Sequence, residues 1–221
     1  MKGTAIGVLM LLSLSGAFAQ RAPEKPDIIE RLMPGGVPTR LRLPTEADRP
    51  RAIQRLKVVQ AESSGKRAQQ AAFLLAVLRS DYAANRHYLL VSLRGCIATP
   101  PRDCDEDTAA FVAALYRRGD HSLLPQLMKI GPSSDGALSE FLGNFYADVL
   151  VGQPQSFVTA LRPFAPLAQR SICDVAGGRD GGGMSPKELQ SLHRQLNHIG
   201  GNTAERCLAA VEHTNDEIHA R

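Results

Sequence analysis

The sequence predicts an all-α protein, an antiparallel array of helices stapled by disulfides. First, the 221-residue chain contains 28 Ala and 27 Leu but only 12 Val and 9 Ile, and β-branched side chains lose more rotamer freedom in a helix than straight ones do. Second, apolar residues recur at helical spacing in one segment after another. Third, short turns rich in Gly and Pro separate these segments, which places consecutive helices side by side in one domain.

Residues 1–19 match a secretory signal peptide. Lys2 supplies a positive charge, residues 6–14 form a short apolar core, and Ala17-Phe18-Ala19 provides the small residues of a cleavage site. A membrane anchor fits less well, because serine and glycine interrupt a stretch that should hold about 20 mainly apolar residues. We therefore expect cleavage after Ala19 and an exported, periplasmic or extracellular mature chain.

Residues 20–49 are expected to form a Pro-rich flexible N-terminal arm. Prolines occur at five positions in this stretch, and each removes a backbone donor and restricts the residue before it. Long helices therefore cannot cross the arm. A short helical turn at 27–33 that docks on another surface is the alternative, but chain ends are commonly mobile and the flexible arm is favoured.

The α-helical domain is expected to cover 50–221 and to begin with three helices. An amphipathic helix is predicted over 51–61. A second helix, of a different kind, is predicted over 66–79. The centre of the second, 71–78, is apolar on every side, and a helix without a polar face belongs in the middle of a bundle. A third helix is predicted over 82–93; a strand at 88–91 is the alternative, and the helix is favoured because no partner strand is visible elsewhere.

Three helices are predicted in the middle of the domain. Asp105-Glu106-Asp107 marks a helix start, because carboxylates there interact with free N–H groups and the helix dipole, and Arg117-Arg118-Gly119 marks its end. A short helix is predicted over 121–130. Ser133-Ser134-Asp135 then precedes the clearest helix of the chain, whose apolar residues follow the helical period. These residues are Leu138, Phe141, Leu142, Phe145, Val149 and Leu150.

The C-terminal part is predicted to hold four more helices. Two of them span 156–161 and 163–175 and are followed by a glycine-rich loop, 177–183. Ser185-Pro186-Lys187-Glu188 then combines an N-cap serine, a proline at the first helical position and a glutamate at the third, which is the pattern of a capping box. A Gly-Gly pair separates this helix from a last one over 202–221.

One stretch resembles a known repeat. The segment that begins Leu123-Leu124-Pro125-Gln126-Leu127, passes through Ser133-Ser134-Asp135 and ends at Leu142-Gly143 resembles one helical-hairpin unit of the HEAT-like kind. The resemblance covers a small part of the chain. It implies HEAT-like packing of neighbouring helices and carries no function.

The four cysteines are Cys96, Cys104, Cys173 and Cys207. In an exported protein an even number of cysteines indicates two disulfides, for which three pairings exist. We expect Cys96–Cys104 and Cys173–Cys207, which close a short and a medium loop. A structural zinc site needs close pairs such as C-x₂-C, and the sequence has none.

The best candidates for metal ligands are Glu212, Asp216 and His219 near the C-terminus. Their i, i+4, i+7 spacing places them on one face of a helix. A solvated face near a helix end explains the same spacing and is the favoured interpretation. We therefore expect no metal and no cofactor.

Other motifs point away from catalysis. Asp103, Asp105, Glu106 and Asp107 offer the paired carboxylates of a glycosidase, but an acidic first turn explains them more simply. The glycine-rich loop lacks the Lys-Ser/Thr of a phosphate-binding loop and the alternating oxygen ligands of a calcium loop. No serine lies in a G-x-S-x-G motif.

The charge pattern limits the partners. The formal charge of +4 comes from 26 basic and 22 acidic residues that are spread along the chain, so no nucleic acid is expected. After the signal, the longest apolar run is 71–78, which is too short for a membrane span. These features favour a non-catalytic helical interaction module that binds another envelope protein or peptide.

Two functions from other classes stay open. One is an envelope hydrolase that uses the acidic turn or the C-terminal metal candidates. The other is a carrier of a small molecule or lipid. Its cavity would lie among Phe111, Phe141, Phe145 and Phe157.

Overall fold

The computed structural model describes residues 27–95, 106–134, 136–179 and 181–220. Within these ranges every regular element is helical and no strand occurs, so the predicted all-α class is confirmed. The predicted signal peptide, 1–19, lies outside the described residues. The α-helices are α1 (Ile28–Leu32), α2 (Arg49–Glu62), α3 (Gly65–Val77), α4 (Tyr82–Gly95), α5 (Glu106–Arg117), α6 (Leu124–Met128), α7 (Gly136–Gly152), α8 (Pro154–Leu161), α9 (Pro166–Gly178), α10 (Pro186–Ile199) and α11 (Asn202–His219).

Helix α3 forms the centre of the N-terminal half. All side chains from 71 to 76 are buried, and α2, α4 and α5 pack against this helix. Phe73 stacks on Phe111 of α5, with the ring centres 5.1 Å apart. The central position that the apolar run predicts for this helix is therefore confirmed.

The C-terminal half is organised around α9, which packs between α7 and α11. Cys173 of α9 is bonded to Cys207 of α11, with their α-carbons 5.2 Å apart, and both residues are fully buried. This disulfide confirms one of the two expected pairs. Cys96 and Cys104 lie outside the described residues, so their pairing stays a prediction.

The capping box at the start of α10 is present. The backbone N–H of Glu188 donates to Ser185 Oγ over 3.3 Å, and the N–H of Ser185 donates to Glu188 Oε2 over 3.0 Å. These reciprocal bonds satisfy two backbone donors that a helix start leaves without an intrahelical partner.

From residue 27 onward, where the described residues begin, the N-terminal segment differs from the flexible arm expected over 20–49. Residues 27–33 dock on the array instead, because burial removes their apolar side chains from water. The backbone N–H of Arg42 donates to the carbonyl of Leu32 over 2.8 Å, which ties the following loop to α1. The docked turn, the less favoured interpretation, is therefore the one that forms. Its buried side chains are those of Ile28, Ile29, Leu32 and Met33.

The segment 121–130 also differs from the single helix predicted there. A 3₁₀ turn at His121–Leu123 leads into the five-residue α6, and a second 3₁₀ turn follows at Gly131–Ser133. A proline occupies the first turn of α6 and of the second 3₁₀ turn, where its missing N–H costs least. This segment is the first arm of the predicted HEAT-like hairpin, and that hairpin stays a prediction.

In the described parts of the chain, no helix combines the length and apolarity that a membrane crossing requires.

Candidate functional site

A groove runs between α1 and α2. Two depressions of about 170 and 490 Å³ adjoin there, and Ile28, Arg31 and Arg55 line both of them. We call this surface the arginine groove. Its residues are Asp27, Ile28, Arg31, Pro44, Asp48, Arg51, Ala52, Gln54, Arg55, Val58 and Val59.

The wall of the groove on α2 follows from helical spacing. Arg51, Arg55 and Val58 lie at i, i+4 and i+7 and therefore share one face of the helix. Leu56 on the other side of α2 is fully buried and fixes which face remains open. Arg31 of α1 lines the same groove, so two helices contribute its cations.

The arginines carry the charge of the groove. Among the described residues, Arg31, Arg51 and Arg55 form no ion pair with any other side chain, and all three are exposed. A guanidinium presents a planar fork of N–H donors that matches a carboxylate. The groove therefore offers three guanidinium groups, each of which can bind a carboxylate through two hydrogen bonds.

The two carboxylates of the groove do not cancel this charge. Asp27 forms an ion pair with Arg67 of α3, with 3.0 Å between Nη1 and Oδ2. Asp48 accepts a hydrogen bond of 2.7 Å from the hydroxyl of Thr45 in the turn before α2. Since only Asp48 keeps an uncompensated negative charge, the groove stays positive.

Apolar side chains lie between the cations. Ile28 is nearly buried, Val59 is partly buried, and Val58 is 51% exposed. An exposed branched side chain next to guanidinium groups gives a partner both an apolar contact and charged hydrogen bonds. Arginine combined with apolar contact area is typical of binding surfaces.

The candidate metal ligands at the C-terminus have separate partners. Glu212 lies 2.9 Å from Nδ1 of His193 on α10, and Nδ1 of His219 lies 2.8 Å from the carbonyl of Asn215. Asp216 is exposed. No group of three histidine, cysteine or carboxylate side chains in the described residues is arranged to hold a metal ion.

The acidic turn is described only in part. Asp103 and Asp105 lie outside the described residues, as does the side chain of Glu106. Asp107 forms an ion pair with Lys66 of α3. This contact ties the start of α5 to α3, which is a structural role.

The glycine-rich loop is shorter than predicted. Helix α9 continues to Gly178, so its first two glycines are helical. The guanidinium of Arg179 then lies 3.1 Å from Glu188 Oε1 and 3.4 Å from Asp148 Oδ1. These ion pairs join the loop to α10 and α7.

The phenylalanines proposed for a carrier cavity contribute to the core. Phe111, Phe145 and Phe157 are buried, and Phe141 is partly buried. The ring of Phe145 meets that of Tyr116 edge to face, with 5.5 Å between the ring centres. Edge-to-face contacts of this kind stabilise packed aromatic clusters.

Reasoning from the sequence missed the arginine groove. The i, i+4 spacing of Arg51 and Arg55 is visible in the sequence, but the third cation, Arg31, lies in the segment expected to be mobile. Only the docking of α1 against α2 brings the three together. No family profile, curated protein or solved structure matches this chain, so its function is inferred from the chemistry of the groove.

Proposed function

We propose that this protein is an exported, non-catalytic helical module whose arginine groove binds an acidic peptide segment of another envelope protein. The observation that carries the proposal is that Arg31, Arg51 and Arg55, which lack ion pairs among the described residues, line one groove together with the exposed side chain of Val58. The bound segment presents carboxylates to the guanidinium groups and an apolar side chain to the valine.

Charge complementarity supports an acidic occupant. Two opposite charges 4 Å apart attract by about 1 kcal/mol in water and by about 4 kcal/mol near a protein surface. An exposed ion pair contributes only about 0–1 kcal/mol net, so the preference for an acidic segment comes from three guanidinium groups acting together. Because these groups are exposed, salt weakens the attraction, with a screening length of about 10 Å at 0.1 M.

The apolar residues favour a peptide over a nucleic acid. Ile28, Val58 and Val59 offer contacts that an apolar peptide side chain uses and a sugar-phosphate backbone does not. Binding of single-stranded nucleic acid commonly relies on aromatic side chains that stack on bases, and the residues that line the groove include none. The groove thus supports recognition of acidic and apolar groups together.

Export rests on the pattern of residues 1–19. When the full chain is expressed in a bacterium, we expect it in the periplasmic fraction with Gln20 at its N-terminus. Fractionation followed by intact-mass measurement tests this. Full-length protein retained in the cytoplasm would contradict the export part of the proposal.

The binding part is tested by fluorescence anisotropy with a short labelled peptide of alternating glutamate and leucine. We expect saturable binding that weakens with added salt. Replacing the glutamates by glutamine removes the charge, and replacing the leucines by serine removes the apolar contact. Each change should lower the affinity by about tenfold or more, which corresponds to about 1.4 kcal/mol.

Charge reversal in the protein separates the groove from the general surface. Arg55→Glu should lower the affinity by at least about tenfold, whereas Arg162→Glu, at an exposed position at the end of α8, should leave it unchanged. An equal loss of peptide affinity in both variants would contradict the proposal. So would a single-stranded oligonucleotide that competes as well as the peptide, because the groove would then respond to charge alone.

A further inference from the structure

A second concavity lies where α3 turns into α4, against the end of α5. It has a volume of about 170 Å³, and we call it the turn pocket. Ala76, Val77 and Leu115 form its apolar walls, and Arg79 and Arg118 line it as cations. Drug-sized ligands occupy pockets of about 300–1,000 Å³, so this one suits a single small chemical group.

The backbone of the turn is unusual. Arg79 and Asp81 have φ values of 57° and 47°, in the left-handed region that residues other than glycine seldom adopt. Strain of this kind concentrates at functional sites. The guanidinium carbon of Arg79 lies 5.0 Å from the centre of the Tyr82 ring, and this contact keeps the cation beside the pocket.

The one carboxylate of the pocket is already engaged. Asp120 Oδ2 accepts hydrogen bonds from the Tyr82 hydroxyl over 2.5 Å and from Nε of Arg86 over 2.8 Å. Asp120 Oδ1 accepts a hydrogen bond from the Ser122 hydroxyl over 2.5 Å. Arg86 offsets the charge of Asp120, so this carboxylate does not neutralise Arg79 or Arg118.

The protonation states agree with this arrangement. Burial raises the pKa of Asp120. The hydrogen bonds from Ser122, Tyr82 and Arg86 outweigh burial and hold this pKa below its ordinary value. Burial, the hydrogen bond to Asp120 and the negative charge of Asp120 raise the pKa of Tyr82 to about 12. Asp120 therefore remains ionised and Tyr82 remains a hydrogen-bond donor at neutral pH.

We propose that the turn pocket binds a phosphate group between Arg79 and Arg118. In the part of the chain that the structure describes, neither arginine has an ion-pair partner. Two guanidinium charges match the charge of a phosphate monoester, about −1.5 to −2 at neutral pH. The site is separate from the arginine groove.

Isothermal titration calorimetry with inorganic phosphate at low ionic strength tests the proposal. We expect saturable one-site binding to the wild type. Arg118→Gln should weaken it by at least about tenfold, since a charged bidentate contact is lost. Arg79→Gly should do the same, and because glycine adopts a positive φ without strain, this variant should fold at least as stably as the wild type.

Two controls and one comparison complete the test. Arg162→Gln, at an exposed arginine away from the pocket, and Arg55→Glu, in the arginine groove, should both keep wild-type phosphate affinity. Vesicles of phosphatidylcholine with phosphatidic acid, set against phosphatidylcholine alone, distinguish a lipid headgroup from free phosphate as the natural source. Binding of either source that Arg79→Gly abolishes supports the site.

Three results would overturn the assignment. The first is no detectable binding of either inorganic phosphate or the phosphatidic acid vesicles. The second is wild-type affinity in the Arg79→Gly variant. The third is competition by acetate as strong as that by phosphate, since a phosphate site prefers the higher charge.

Discussion

Gly177 of α9 lies against the backbone of Val211 of α11: a β-carbon added to Gly177 would stand 3.0 Å from the Val211 α-carbon and 3.1 Å from its carbonyl oxygen. The Cys173–Cys207 disulfide lies four residues earlier on both helices. The crosslink and the glycine contact therefore occupy successive turns of the same helix pair. Together they hold α9 and α11 at close approach.

This contact predicts that Gly177→Ala destabilises the fold. The new methyl group meets backbone atoms, which cannot rotate away, and overpacking of this kind costs about 1–3 kcal/mol. Urea denaturation followed by circular dichroism measures the change. Gly152→Ala is the matched control, because nothing lies within 4 Å of a β-carbon there and alanine favours the helix. Equal stabilities of the two variants would contradict the prediction.

Loss of the buried disulfide should destabilise the protein further. The bond closes a loop with a sequence separation of 34, and restriction of the unfolded chain by such a loop contributes about 3–4 kcal/mol. We expect the double variant Cys173→Ala/Cys207→Ala to lose about that much in urea denaturation. Peptide mapping of the unreduced wild type checks the predicted partner pair, Cys96–Cys104. A peptide that links Cys96 to Cys173 would contradict both pairings.

The docking of α1 predicts a large effect of Leu32→Ala. Leu32 is 3% exposed, and truncation of a buried leucine to alanine costs about 2–5 kcal/mol. Leu43→Ala, at a position 53% exposed, should change stability little. Thermal unfolding of both variants tests the difference, and hydrogen exchange should show protected amides at 31–33. An equally small effect at both positions would favour a mobile segment.

The ionisation of Asp120 makes stability depend on pH in the acidic range. Burial raises its pKa, but the hydrogen bonds from Ser122, Tyr82 and Arg86 outweigh burial and hold it below 3.8, the usual value. A carboxylate with a lowered pKa contributes stability that is complete above its unfolded-state pKa. That contribution is lost as the pH falls through the folded-state pKa.

We therefore expect Asp120→Asn to be less stable than the wild type at pH 7 and to lose less stability as the pH falls below about 4. The substitution also removes the negative charge that pairs with Arg86, whose hydrogen bond to Ser122 Oγ remains, so the loss at pH 7 should be about 1–3 kcal/mol. Urea denaturation at a series of pH values measures both effects. Asp216→Asn, at an exposed position, should keep the wild-type pH profile. A profile of Asp120→Asn parallel to that of the wild type would refute the linkage.

Features set by local sequence could be predicted. The capping box of Ser185 and Glu188 depends on residues three apart, and the buried centre of α3 depends on an apolar run without a polar face. The Cys173–Cys207 pair could be predicted because, among the three possible pairings of four cysteines, it belongs to the one that closes a short and a medium loop. In each case the deciding residues are close together along the chain, or only a few alternative arrangements exist.

Features set by packing between distant segments could not be predicted. The arginine groove requires α1 to dock on α2, and short apolar segments near a chain end give no sign of where they dock. Leu167 is an apolar residue of α9, yet it is 80% exposed. The buried face of α9 includes Gln169 and Ile172, and Leu167, two residues before Gln169, lies about 200° around the helix from it.

The crosslink between α9 and α11 encloses the whole of α10. A protease that cuts the exposed turn at Gly201 therefore releases no fragment, because both pieces remain joined through the sulfur atoms. The nicked protein gains only the mass of one water molecule, and its two chains separate after a reductant breaks the disulfide. Backbone cleavage at this turn therefore does not by itself detach the C-terminal helix. Detachment also requires reduction of the disulfide, so it depends on the redox state of the surroundings.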